Sequence, residues 1–403
     1  MPVHSSARSA ARLAALVVLA LATPAARAAA DACGSLTTAE VAGARVTAAE
    51  VVAATVDLPA HCRGYAAATT DSGHAGTGVT DGRWAQENPG AEADWGWRAV
   101  TETARVSRDL VRAFYGRPAQ RSYFMGCSTG GRMGLMSAQR LPQDFDGIVA
   151  GAPALDACDR IDGRRDGLID DPRRCDWQPS RIQCQGADGP DCLTAREAGG
   201  LDHWYMPVTG GDGRTQCPGG APQGSEPFWP SWLSGMPGSK DPALIKRFAT
   251  DFLRYMAIVP DAGTAFDVSQ YDFDRDPPRL ATMSRMYDAP SPDLTAFRTR
   301  GGKLLLYHGW ADPVVTTQRT LDYHDAVRSR MGGADATARF ARLFMLPGVD
   351  HCGLQPGPGA TSVEFDPLPA LEAWVERGEA PSSLDVRWQM SDGSTRSRDV
   401  LPQ

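Results

Sequence analysis

One short segment limits this chain to few architectures. Arg121–Met125 reads as a strand, Gly126–Gly130 as a tight turn and Gly131–Leu141 as a helix, with Met133, Leu135, Met136 and Leu141 as its apolar residues. Gly147–Ala152 then reads as a second buried strand. The turn spells Gly126-Cys127-Ser128-Thr129-Gly130, a G-x-S-x-G pattern. A serine at the apex of a sharp strand-to-helix turn projects its hydroxyl into a cleft, and the flanking glycines are needed because a Cβ there would clash with the turn. The helix N-terminus behind it offers N–H groups and positive potential to an oxyanion. G-x-S-x-G alone is a weak signal. Placed between a strand and a helix, it marks Ser128 as a candidate nucleophile.

The same alternation continues along the chain. Gly64–Thr70 reads as a short buried strand. Arg98–Tyr115 reads as a helix, with Gly116 where a C-cap belongs and Pro118 following. Lys303–His308 is a strand, Thr317–Met331 a helix, Arg342–Leu346 the last clear strand and Leu368–Arg377 a final helix. Between the two halves, Asp156 to Pro292 is rich in Asp, Gly, Pro, Trp and Cys and shows few clear strands. Alternating strands and helices argue for a parallel sheet with crossover helices, and the irregular stretch for an inserted domain. A chain of 403 residues, 42% hydrophobic, can bury a core large enough for both.

A serine hydroxyl needs a base, and the base needs an orienting acid. In the α/β-hydrolase fold the order along the chain is Ser, then Asp or Glu, then His. Asp312 follows the strand Lys303–His308 after the turn Gly309-Trp310-Ala311, which puts it at the carboxyl end of a strand, where ligand sites form in such sheets. His351 follows Arg342–Leu346 after a Pro-Gly loop and occupies the same kind of position. Of the other histidines, His324 lies mid-helix and reads as a surface or packing residue, His308 precedes Asp312 in the wrong order, and His203 lies in the insert. Asp350 adjoins His351 and is a poor orienter, because neighbouring side chains diverge. The fold class is therefore α/β, an α/β-hydrolase core with an irregular insert, and the candidate triad is Ser128, Asp312 and His351.

Cysteine usage and the N-terminus bear on compartment. Arg8 and Arg12 precede an unbroken apolar run, Leu13–Ala22, and Ala26-Arg27-Ala28 is a small-x-small cleavage site: an export signal over residues 1–30. The run is too short for a permanent membrane anchor, and no later segment is long and apolar enough to be one. A secreted or periplasmic chain meets an oxidising compartment, so disulfides are the default reading of its nine cysteines; C-x-x-C metal spacing is absent. Cys127 immediately precedes Ser128 and Cys352 immediately follows His351, so a Ser–His contact brings the two cysteines within bridging reach. Removing Arg8, Arg12 and Arg27 with the signal takes the formal charge from −7 to −10, and no basic cluster is present. That argues against nucleic acid as a partner.

Cys127-Ser128, Asp312 and His351-Cys352 together resemble the CS-D-HC arrangement of the tannase and feruloyl esterase family, which includes the mono(2-hydroxyethyl) terephthalate hydrolase. The block Arg121–Ala154 and the short block Thr70-Asp71-Ser72-Gly73-His74 are similar to family signatures, and the likeness runs with gaps from about Cys33 to Arg377. The resemblance implies esters of hydroxylated aromatic acids, such as gallate or ferulate, as small-molecule substrates. It implies that the insert is a lid carrying much of the acyl-group recognition. The domain reading is then a signal peptide at 1–30, core at 31–155, lid at 156–292 and core at 293–403. Family pairing implies disulfides Cys33–Cys62, Cys127–Cys352, Cys158–Cys175 and Cys184–Cys192, with Cys217 left over. At the start of the insert, Asp159 to Leu168 presents three carboxylates with glycines that let the loop curl, a donor set that suits Ca²⁺. It resembles the family's lid calcium loop. Asp159, Asp162 and Asp166 would give carboxylates, and Arg164 and Leu168 backbone carbonyls, to a structural ion.

Two stretches of the family pattern are missing. Arg63 meets Gly64 directly where early strands and a glycine-rich turn are expected, and Ala154 leads almost at once into Cys158. One oxyanion donor is the N–H after the nucleophile, here Thr129, and the other comes from a loop after an early strand. The first gap removes that loop. An alternative reading follows: a non-catalytic or impaired relative that binds aromatic ligands without a full oxyanion hole.

Overall fold

The computed structural model describes residues 66–152, 169–189, 192–236, 238–357 and 359–403. These fall into two units: one holds residues 66–67 with Val106–Pro118, the other Ala68–Arg105 with Ala119–Gln403. The first contains the C-terminal part of helix α1 (Ala99–Tyr115) and Gly116, whose φ of +66° makes it the left-handed residue expected after a helix.

The second unit is organised on four parallel strands: β1 (Tyr123–Cys127), β2 (Gly147–Ala152), β3 (Lys303–Gly309) and β4 (Ala341–Leu346). They lie side by side in the order β1-β2-β3-β4. Helix α2 (Thr129–Arg140) joins β1 to β2 and packs on both. Gly134 allows that approach, since a Cβ there would sit 3.0 Å from Ile148 and 3.2 Å from the Phe124 ring. Leu304, Leu305, Leu343, Phe344 and Leu346 are fully or almost fully buried, which explains why β3 and β4 read as continuous apolar runs rather than alternating ones. Among the described residues β1 ends the sheet, and Met125 on it is 59% exposed.

The insert between β2 and β3 carries short helices, including α3 (Ala195–Tyr205) and α4 (Leu244–Tyr255), and a two-stranded ribbon. Its Phe228, Trp229, Trp232 and Leu233 join the same buried cluster as the sheet, while Trp204 is 40% exposed and stacks on Trp229. Trp229 and Trp232 therefore belong to the main core rather than to a small core of the insert's own. After β3 come α5 (Thr317–Met331), β4, and an antiparallel sheet of β5 (Ala360–Glu364), β6 (Leu384–Met390) and β7 (Thr395–Val400), with α6 (Leu368–Arg377) between β5 and β6.

Two sequence expectations need correction. Residues 66–70 form no strand. They are mostly exposed, Ala has little strand preference, and the segment turns at Ser72 and Gly73, both at positive φ. Gly64 and Tyr65, the start of that expected strand, lie outside the described residues. Arg342–Leu346 is not the last strand, because β5, β6 and β7 follow it.

Candidate active site

The three parallel strands β1, β3 and β4 run in register, so the segments leaving their carboxyl ends emerge along one edge of the sheet. Ser128 leaves β1, Asp312 leaves β3 and His351 leaves β4, and these are the residues that meet. His351 Nε2 lies 2.9 Å from Ser128 Oγ, and His351 Nδ1 lies 2.8 Å from Asp312 Oδ2. Ser128 is exposed, whereas Asp312 and His351 are buried. The serine hydroxyl is thus open to solvent while the histidine and aspartate are shielded from water.

Backbone geometry explains the sequence around Ser128. Its φ of +56° and ψ of −121° are rare for a residue with a side chain, and mark the strained elbow that aims Oγ outward. A Cβ on Gly126 would stand 2.7 Å from the backbone of Gly130, so the first glycine of the motif is a steric necessity. Thr129 begins α2 directly after Ser128 and places its N–H at the helix N-terminus, beside the hydroxyl. Behind the elbow, Arg132 donates to the carbonyls of Trp95 and Gly96 and stacks on the Trp95 ring. Burial lowers its pKa to about 10, so it remains a cation.

Asp312 is held from both of its oxygens. Oδ1 accepts from the N–H groups of Val314 and Val315 at 2.7 and 2.9 Å. Oδ2 faces His351 and also His308, whose Nε2 is 3.4 Å away. Burial alone would push this carboxyl up; the two imidazoles outweigh it and hold the pKa below the ordinary value. The group is therefore an anion at neutral pH, as an orienter of His351 must be.

Around the base, the Trp232 ring of the insert meets the His351 ring edge-on at 5.2 Å. Asp350 is fully buried, and its Oδ1 accepts from the Gln355 N–H rather than from His351. Burial pushes its pKa up to about 7. Ser231 Oγ reaches Gln355 Oε1 at 3.3 Å, a second link between the insert and the base loop.

Cys127 and Cys352 are bridged across 225 residues of sequence, and Cys184 pairs with Cys192. Cys175 is disulfide-bonded, and Cys217 is the one free cysteine among the described residues. Cys33, Cys62 and Cys158, the signal segment 1–30 and the proposed calcium donors Asp159, Asp162, Arg164, Asp166 and Leu168 lie outside the described residues. Among the described residues no group of three or more His, Cys, Asp or Glu could hold a metal ion, and no helix is long and apolar enough to cross a membrane.

Of the histidines set aside on sequence grounds, His324 is buried in α5, where burial lowers its pKa to about 4, and His203 is exposed on α3. His308 is different. Chain order excluded it as the base, but it stands against the triad's acid, four residues before Asp312. The only signal for it was that spacing at the end of a strand.

The family model for tannase and feruloyl esterase matches residues 33–156 and 154–402. The match breaks at the point where the sequence lacks a stretch after Ala154. An uncharacterized esterase of Xanthomonas campestris pv. campestris is 33% identical over 80% of this chain and 67% of its own. A mono(2-hydroxyethyl) terephthalate hydrolase of Piscinibacter sakaiensis is 31% identical over 84% of this chain and 70% of its own. That alignment runs over 442 residues, more than the whole of this chain, so the relative holds internal residues with no counterpart here. Among solved structures, an esterase from Aspergillus oryzae superposes with a TM-score of 0.71 at 26% identity, over 82% of this chain and 73% of that one. Feruloyl esterase B from the same organism gives 0.68 at 25% identity, over 80% and 73%.

Proposed function

Because this chain belongs to the tannase and feruloyl esterase family, and is on that ground a carboxylic ester hydrolase, we propose that it cleaves esters of hydroxylated aromatic acids through an acyl-enzyme formed on Ser128. The observation that carries the mechanism is the continuous chain from exposed Ser128 Oγ to His351 at 2.9 Å and on to Asp312 at 2.8 Å. Ser128 Oγ attacks the ester carbonyl as its proton passes to His351 Nε2. The imidazolium returns that proton to the departing alcohol, leaving the acid on Ser128. Water then attacks with His351 again as base, and the free acid leaves. Asp312 accepts the Nδ1–H throughout and stabilises the imidazolium. The Thr129 N–H faces the developing oxyanion.

The aromatic acyl group is supported by the relatives, whose names specify terephthalate and feruloyl esters. The insert, residues 156–292, is proposed as the lid that recognises it, in keeping with the Trp232 ring against His351 and the Ser231–Gln355 bond. Export through the 1–30 signal is supported by the disulfides of the core. The pairs Cys33–Cys62 and Cys158–Cys175 and a structural calcium ion on Asp159, Asp162, Arg164, Asp166 and Leu168 belong to the same reading. The donor chemistry of that loop supports the ion.

The alternative, an impaired relative that binds aromatic ligands, is favoured by the internal residues this chain lacks and by β1 ending the sheet among the described residues. The test is hydrolysis of methyl gallate, methyl ferulate and a short p-nitrophenyl ester by the oxidised protein supplied with calcium. Turnover of an aromatic-acid ester that disappears in Ser128→Ala supports the esterase. A folded protein inert toward all three esters supports the alternative.

A further inference from the structure

His308 is buried in the middle of the molecule, and nothing in the acyl-transfer steps uses it. On β3 it is paired in register with Ala152 and Met345, so its backbone is fixed by strands on both sides. Its ring has two neighbours. Nδ1 lies 2.6 Å from Thr320 Oγ1 on α5; Nε2 is buried and makes no hydrogen bond, and Asp312 Oδ2 stands 3.4 Å from it.

The two contacts fix the tautomer. A lone pair on Nε2 would face a carboxylate and be repelled, whereas an N–H there is attracted. With the proton on Nε2, Nδ1 is an acceptor and the Thr320 hydroxyl donates a hydrogen bond to it. Thr320 thus acts through His308 on Asp312. The same oxygen then faces two imidazole N–H groups, His351 at 2.8 Å and His308 at 3.4 Å, while the other oxygen is tied to two backbone N–H groups.

We propose that His308, oriented by Thr320, is a positioning residue of the triad: its Nε2–H fixes the Asp312 carboxylate in the plane and charge state that His351 requires. The inference rests on the esterase reading above for its kinetic consequence, but not for its geometry. As His351 becomes an imidazolium, Asp312 must stay where it is. An imidazole N–H facing Oδ2 electrostatically restrains the carboxylate from rotating and costs no reorganisation, because it is in place beforehand.

The test compares His308→Leu, His308→Gln, Thr320→Val and Thr320→Ser in the full oxidised protein, with methyl ferulate and p-nitrophenyl acetate as substrates. His308→Leu removes the N–H facing Oδ2, and kcat is expected to fall about three- to tenfold with KM within about twofold, the scale of a modest polar interaction rather than of a full charge-assisted hydrogen bond. Gln, with an amide N–H near the place of Nε2, recovers most of the loss. Thr320→Val lowers kcat in the same direction and Thr320→Ser restores it. A second readout does not depend on turnover: the low-field proton resonance of His351 Nδ1–H shifts in Thr320→Val at unchanged thermal midpoint. Wild-type kcat and an unmoved resonance in Thr320→Val overturn the proposal, and that variant decides the matter if His308→Leu does not fold. Equal losses in Leu and Gln, tracking a common drop in thermal midpoint, also overturn it in favour of simple packing. If the wild-type protein hydrolyses neither ester, the esterase reading fails and the resonance alone decides the role of His308.

Discussion

At Asp312 and Asp350, two buried carboxyls close to one histidine are driven in opposite directions. Asp312 is surrounded by donors and kept ionised; Asp350 accepts one backbone hydrogen bond on Oδ1, and burial raises its pKa to about 7. Replacing Asp312 by Asn keeps the shape but lets the amide orient His351 in the wrong tautomer. It should lower kcat about ten-thousandfold with little change in KM, the scale known for an orienting acid turned into an amide. Steady-state kinetics that show only a severalfold loss would contradict the role given to Asp312. For Asp350 the sign of the linkage runs the other way from that of a paired acid. Between its ordinary value of 3.8 and about 7 the folded chain keeps a proton that the unfolded chain releases. The contribution of Asp350 to stability is therefore full below about pH 4 and is lost as pH rises to 7. Asp350→Asn should gain on the wild type with rising pH, by up to about 4 kcal/mol at pH 8, with the gain vanishing near pH 4. Thermal midpoints across pH 4–9 check this, and a pH-independent difference would be contrary to it.

Elements were legible where one physical signal dominated. Thr317–Met331 and Leu368–Arg377 have the expected bounds, because each ends in a left-handed glycine that a helix cannot pass, Gly332 and Gly378. β2 has its expected bounds as well, a short apolar run between turns. The hairpin of β6 and β7 carried a signal that the sequence reading did not use: Leu384–Met390 alternates buried and exposed residues without a break, and Ser391-Asp392-Gly393 is a turn. The meeting of Ser128, Asp312 and His351 was readable because parallel strands deliver their carboxyl ends to one edge. His308 was not, because its role comes from a neighbour across the sheet-to-helix contact rather than from chain order. The bridge between Cys127 and Cys352 ties the nucleophile elbow to the base loop over 225 residues. Replacing both by alanine should lower unfolding stability by about 2–5 kcal/mol, the range for a bridge closing a long loop. It should also lower kcat by loosening the Ser128–His351 separation. Denaturant midpoints equal to those of the oxidised wild type would contradict that.

In the whole molecule, a parallel-sheet core is joined to an insert whose Phe228, Trp229 and Trp232 share the core's buried cluster. The insert is thus built into the hydrolase core, and a perturbation of one is expected to reach the other. The proposed calcium loop at 159–168 provides a way to test this. Chelation with EGTA should lower the thermal midpoint and leave kcat at a temperature well below it unchanged, because the ion stabilises only the folded state it binds. An unmoved midpoint speaks against a structural ion. Activation of Ser128 as a nucleophile underlies the whole mechanism. The direct measurement is the mass of the intact folded protein after exposure to a fluorophosphonate, followed by peptide mapping. One adduct per chain is expected, on the Arg121–Arg132 segment at Ser128, absent from Ser128→Ala and strongly slowed in His351→Ala. A folded protein that takes up no adduct, or one labelled equally well in Ser128→Ala, would contradict it.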